Sequence, residues 1–92
     1  MDSKRVHIFI KGDVIGVGFR TWTVRKAVEL GVTGWVRNKD HEMVEAVFEG
    51  KKKDVDKMVA ACRKGPEVSY VETLVIQNEA VPFEFSDFQI HF

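Results

Sequence analysis

The pattern of the chain predicts an α+β sandwich, and three observations carry that prediction. Val6, Ile8 and Ile10 alternate with His7, Phe9 and Lys11, the period of a half-buried strand. Two later segments place apolar residues three and four apart, as amphipathic helices do: Phe19, Trp22, Thr23, Ala27 and Leu30 in one, Val55, Met58, Val59 and Cys62 in the other. Between them lie two strand-like runs separated by a short turn at Asp40-His41, a connection too short for a crossover helix, so these strands must pair antiparallel.

In chain order, Gly12 ends the first strand at the mouth of a glycine-punctuated loop. The first helix follows, with Thr21 the expected N-cap and Gly31 the expected C-cap. The runs over 32–39 and 43–49 form the hairpin. In the second of them Val44, Ala46 and Phe48 face one way and Glu45, Val47 and Glu49 the other, which predicts one core face and one mostly wet face. After Gly50, Lys51-Lys52-Lys53-Asp54 reads as a solvated start to the second helix, and Gly65-Pro66 stops it. A fourth strand covers 71–77, and beyond Pro82 the segment Phe88-Gln89-Ile90-His91-Phe92 reads as a short fifth. The order is β-α-β-β-α-β with a strand appended and two helices on one face of a mainly antiparallel sheet, which is the ferredoxin-like split β-α-β arrangement. In it the first strand flanks the third and the second pairs with the third. The loop after the first strand therefore shares a side of the molecule with Asn38, near the end of the second.

The 92 residues, 45% hydrophobic and 30% charged, suit a single domain over 1–92 that folds without metal or disulfide. Fourteen basic and fourteen acidic residues cancel, so the overall field gives no general attraction to nucleic acid or an anionic membrane. No apolar run reaches the roughly 20 residues of a membrane span. The lone Cys62 excludes an intrachain disulfide and no signal-peptide pattern is seen, so a cytoplasmic monomer is expected. His7, His41 and His91 lie on different elements without metal-ligand spacing, and Cys62 falls on an apolar stripe, where packing is the simplest role. Asp13 and Asp40 could in principle hold a cation. Trp22 and Trp35 read as core or sheet anchors that could also flank a ligand.

The chemistry concentrates in Lys11-Gly12-Asp13-Val14-Ile15-Gly16-Val17-Gly18-Phe19-Arg20. Glycines let successive backbone N–H groups turn toward one point, the following helix adds its unpaired N–H groups and positive dipole end, and Arg20 supplies a planar cationic fork. A cation in the first turn opposes the helix dipole, a conflict that a bound anion removes. Asn38 offers a neutral amide that can hold a water without repelling a phosphate, and asparagine is also an ordinary strand-end residue. A dinucleotide site does not fit, because the third glycine position holds Thr21 and a hairpin follows, and no Lys-Ser/Thr pair closes a P-loop. An RNA-recognition module shares the element order, and Phe9 could serve its sheet face. The third strand, however, lacks the basic-glycine-aromatic pattern and would present Glu45 and Glu49 to phosphates. A noncatalytic anion-binding domain stays open on the residues alone.

Residues 12–20 closely resemble the acylphosphatase signature G-x-V-Q-G-V-x-F-R. Gly34-Trp35-Val36-Arg37-Asn38, with Val44 and Gly50 at the right distances, resembles the second signature of that family. The likeness extends over nearly the whole chain, and two motifs at the right separation make it specific. It implies hydrolysis of acyl phosphates without a cofactor, with an acyl phosphate as substrate and inorganic phosphate as product. The phosphoryl group would be bound by Arg20 and the backbone N–H groups of Ile15, Gly16, Val17, Gly18, Phe19 and Arg20, and the attacking water by Asn38. Two positions depart from the pattern. Ile15 stands where the family carries glutamine, which puts the rate in question. Glu42 stands where it carries glycine, which predicts a reshaped or strained turn.

Overall fold

A computed structural model describes residues 2–79 and 84–92 of the chain. Its elements, in order, are β1 (Ser3–Asp13), α1 (Phe19–Leu30), β2 (Thr33–Asp40), β3 (Met43–Lys51), α2 (Lys52–Lys64), β4 (Tyr70–Glu79) and β5 (Phe88–Ile90). Pro82, read as the break before the last strand, lies outside the described residues. The five strands form one sheet in the order β4-β1-β3-β2-β5. Every pairing is antiparallel except β2 with β5. This is the predicted ferredoxin-like arrangement.

The strand periodicity sorts the sheet into two faces. Val6, Ile8 and Ile10 of β1, Val36 of β2 and Val44, Ala46 and Phe48 of β3 are all fully buried, and they join Phe19 and Ala27 of α1 and Val55, Met58 and Cys62 of α2 in one core. Fully burying a side chain of this size stabilises by roughly 1.5–3 kcal/mol, so this layer holds α1 and its preceding loop against the sheet. Burial pushes the Cys62 thiol up to about 12, consistent with a packing role.

The opposite face departs from expectation. Glu45, Val47 and Glu49, expected to be mostly wet, are 5%, 1% and 0% exposed. Alternation along a strand cannot distinguish an edge from a centre, and β3 is the central strand, roofed by long side chains from both neighbours. Arg37 Nε donates to Glu45 Oε1 at 2.6 Å, and His7 lies between Glu45 (Nε2–Oε2, 2.6 Å) and Glu79 (Nδ1–Oε2, 3.2 Å). Glu49 Oε1 accepts the backbone N–H groups of Glu84 and Phe85, which draws the chain back across the sheet toward β5.

Burial alone would raise the Glu45 carboxyl, but the hydrogen bonds and charges of Arg37 and His7 outweigh it and hold the group below its ordinary value. A depressed carboxyl contributes stability above its unfolded pKa and loses it as pH falls through the folded one. Arg37→Ala should therefore cost about 1 kcal/mol at neutral pH, given the half-exposed guanidinium, or roughly 4–8 °C in Tm. The gap from the parent chain should close as pH drops below the usual value of 4.5, and thermal melts at pH 7 and pH 3 measure both.

Candidate active site

β1 delivers the chain to the loop, and the loop's handedness is set by two glycines. Gly16 and Gly18 have φ of 75° and 77°, whereas no non-glycine residue among the described residues has a positive φ. A backbone that alternates in hand residue by residue turns its consecutive N–H groups toward one side, forming an anion-binding nest. A Cβ at either glycine would meet nothing within 4 Å. The left-handed backbone, not crowding, is what demands glycine there.

Helix α1 starts earlier than the sequence indicated. Gly18, not Thr21, holds the N-cap position, and no side chain caps the helix. A capping hydroxyl would have consumed one of the N–H groups the helix leaves free. Among the described residues, no N–H from Ile15, Gly16, Val17, Gly18, Phe19 or Arg20 donates to a backbone or side-chain acceptor. The first such bond is Trp22 N–H to the Gly18 carbonyl at 3.0 Å. At the far end Gly31, with φ 71°, caps the helix as expected.

Four of these donor residues, Gly16, Gly18, Phe19 and Arg20, border a recess of about 70 Å³ that Val14, Thr21 and Asn38 also line. That is room for roughly two waters or one small oxyanion. Arg20 makes no ion pair among the described residues, and its guanidinium carbon lies 5.4 Å from the centre of the Phe92 ring. Its fork remains available to an anion. Asn38 is half-buried and pairs with Val44 of β3, next to an irregularity of register between Asn38 and Asp40. The structure thus brings Arg20 and Asn38 to one recess with Gly16, Gly18 and Phe19. Ile15 and Val17 pack against the core as half-buried side chains.

The two departures from the signatures have structural roles. Ile15 anchors the loop by apolar packing where a glutamine would offer a polar group. Glu42 is accommodated without a positive φ: its N–H donates to Asp40 Oδ1 at 2.9 Å, an Asx-type turn. Its carbonyl accepts the Gly12 N–H at 3.1 Å and ties the hairpin to the base of the loop. The turn is reshaped rather than strained.

Thr21 and Val14 line the recess although neither was singled out for it. Thr21 could have been found by noting that an uncapped helix start exposes its whole first turn. The approach of Phe92 to Arg20 had no signal in the sequence. It depends on the parallel pairing of β5 with β2, continued by His91 N–H to the Val36 carbonyl at 2.8 Å. Trp22 packs edge-on to Phe19 at 5.4 Å. Trp35 follows the opposite parity of β2 from Val36 and Asn38, and stacks on His91. Among the described residues no three His, Cys, Asp or Glu side chains gather as metal ligands, and no helix is long and apolar enough to cross a membrane.

The fold and the recess define a class, an α+β domain with a recess bordered by unpaired N–H groups at the start of its first helix. The chain belongs to the acylphosphatase family, whose model matches residues 6–90. An acylphosphatase of Syntrophus aciditrophicus (strain SB) is 46% identical over 87 residues, covering 95% of this chain and 91% of its own. One of Syntrophotalea carbinolica (strain DSM 2380 / NBRC 103641 / GraBd1) is 46% identical over 92 residues and covers both chains completely. The structure of an acylphosphatase from Coxiella burnetii superposes with a TM-score of 0.92 at 31% identity, covering 98% of this chain and 94% of its own.

Proposed function

We propose that the protein hydrolyses acyl phosphates with the phosphoryl group in the 15–20 cradle and the attacking water on Asn38. The activity rests on family membership: the bond broken is the carboxyl-phosphate anhydride, and the products are a carboxylate and inorganic phosphate. The site assignment is supported above all by one observation, the run of unpaired N–H groups bordering a recess that holds both Arg20 and Asn38.

In this reading the N–H groups of Ile15, Gly16, Val17, Gly18, Phe19 and Arg20, with the Arg20 guanidinium, hold the phosphoryl oxygens and stabilise the charge spread over them in the transition state. Asn38 holds a water in line with the phosphorus through one donated and one accepted hydrogen bond. The leaving group is a carboxylate whose conjugate acid has a pKa of about 4, so it departs at neutral pH without a general acid. The water's proton passes to a phosphoryl oxygen. No step calls on a metal. All these groups come from one chain over 1–92, which makes the single copy the catalytic unit, and the buried thiol of Cys62 suits a reducing cytoplasm. Balanced charge supports a small-molecule substrate over nucleic acid or membrane.

Following phosphate release from benzoyl phosphate in the presence of EDTA tests the reading. Turnover well above the buffer rate, unaffected by the chelator, is expected. A rate no higher than buffer would leave an anion-binding domain without catalysis.

A further inference from the structure

The face of the sheet turned away from the helices carries a row of rings that the cradle does not use. Phe9 stacks on His7 at 4.7 Å, His7 meets Trp35 edge-on at 5.8 Å, and Trp35 stacks on His91 at 5.1 Å with an interplanar angle of 12°. The row crosses from β1 over β3 to β2 and ends just beyond β5. A further planar group adds readily to the end of such a row, where one flat side has no ring against it.

At that end the surface opens into a groove of about 660 Å³ lined by Trp35, Arg37, Glu45, Ile90, His91 and Phe92. This is the size of a small-molecule site and many times the 70 Å³ recess. The two lie on opposite faces of β2, because Trp35 and Arg37 alternate with Val36 and Asn38 along the strand.

One acid and one permanent cation line the groove, and they are not equivalent. Glu45 is 5% exposed and both its oxygens are engaged, Oε1 by Arg37 Nε at 2.6 Å and Oε2 by His7 Nε2 at 2.6 Å. Arg37 is held through Nε alone. Among the described residues neither of its Nη nitrogens donates to a protein acceptor, and its side chain is 45% exposed. Glu45 therefore fixes the guanidinium, which lies 5.8 Å from the centre of the Trp35 ring, and leaves its two-pronged end free for an oxyanion.

A matching ligand is flat at one end and anionic at the other. Trp35 separates the Arg37 fork from the open side of His91, so the two ends must stand apart. The carboxyl of an aromatic acid sits directly on its ring, whereas a sugar spaces the phosphate of a nucleotide from its base. We propose that this groove is a second binding site and that it takes a nucleoside monophosphate, with the base against His91 and the phosphate on the Arg37 fork. Stacking on rings and bidentate arginine contacts are the usual means of holding those two groups. A longer nucleic-acid strand is disfavoured, because Glu49, Glu79 and Glu84 gather around Arg5 at the other end of the same face.

Titrating the ¹⁵N-labelled full chain with adenosine 5′-monophosphate and following amide and indole chemical shifts tests the site. Signals of Trp35, Arg37 and His91 should move on one saturable curve, and should do so still with inorganic phosphate present to fill the cradle. Ribose 5-phosphate, which lacks the base, and adenosine, which lacks the anion, should each bind at least about tenfold more weakly. Arg37→Gln should weaken the nucleotide by about tenfold, and His91→Ala by roughly fivefold or more. His91 is exposed, so its variant keeps the test open should Arg37→Gln fail to fold. Shifts confined to residues 15–20 would mean that the nucleotide only enters the cradle through its phosphate, and would overturn the proposal. Ribose 5-phosphate binding as tightly as the nucleotide, or unaltered affinity in the His91→Ala variant, would overturn it as well.

Discussion

Replacing Arg20 with alanine is expected to lower kcat/KM for benzoyl phosphate by about 10³-fold and to weaken competitive inhibition by inorganic phosphate alongside it. Ground state and product share the charge the guanidinium serves, so binding and turnover fall together. Stability should hardly change, because Arg20 has no ion pair among the described residues and its neighbour Phe92 is itself solvent-exposed. Arg20→Lys should recover only part of the loss, since a point charge cannot grip two oxygens as the planar fork does. Steady-state kinetics with phosphate as inhibitor, beside a thermal melt, checks all three expectations. Full activity in a folded Arg20→Ala variant would remove arginine from the mechanism.

Asn38→Ala should behave differently. The carboxamide is assigned to the water and not to the phosphoryl group, so kcat should drop by about 10²–10³-fold while inhibition by phosphate shifts less than about threefold. The contrast between the two variants carries the assignment: one loses grip and rate, the other rate alone. If Asn38→Ala weakened phosphate binding as much as Arg20→Ala, the amide would be a phosphate ligand instead. The side chain makes no protein hydrogen bond among the described residues, so its removal leaves no orphaned partner to complicate the reading.

The alternation of Val6, Ile8 and Ile10 and the helical spacing of Val55, Met58, Val59 and Cys62 were enough to set the sheet and its helical layer, because the core reads directly as periodicity. The cradle was legible for a related reason. Gly16, Gly18 and Arg20 are residue types that a free N–H nest and an anion require, and the element order placed Asn38 beside them. What periodicity could not show was the far face of β3. Glu45 and Glu49 look like solvent-facing residues in any strand, and only a central position with Arg5, His7 and Arg37 around them makes them buried and paired. The start of α1 escapes local pattern for the opposite reason: a general preference for Thr at N-caps points to Thr21, whereas the helix begins at Gly18 with no side chain capping it. Phe92 lies beside Arg20 through tertiary pairing alone, which no local pattern records.

Everything proposed for the cradle depends on attack at phosphorus. Hydrolysing benzoyl phosphate in ¹⁸O-labelled water and weighing both products by mass spectrometry tests that most directly. The arrangement of the 15–20 donors, Arg20 and Asn38 predicts one labelled oxygen in the inorganic phosphate and none in the benzoate. Label in the benzoate would mean attack at the carbonyl carbon, and would contradict the role given to the cradle.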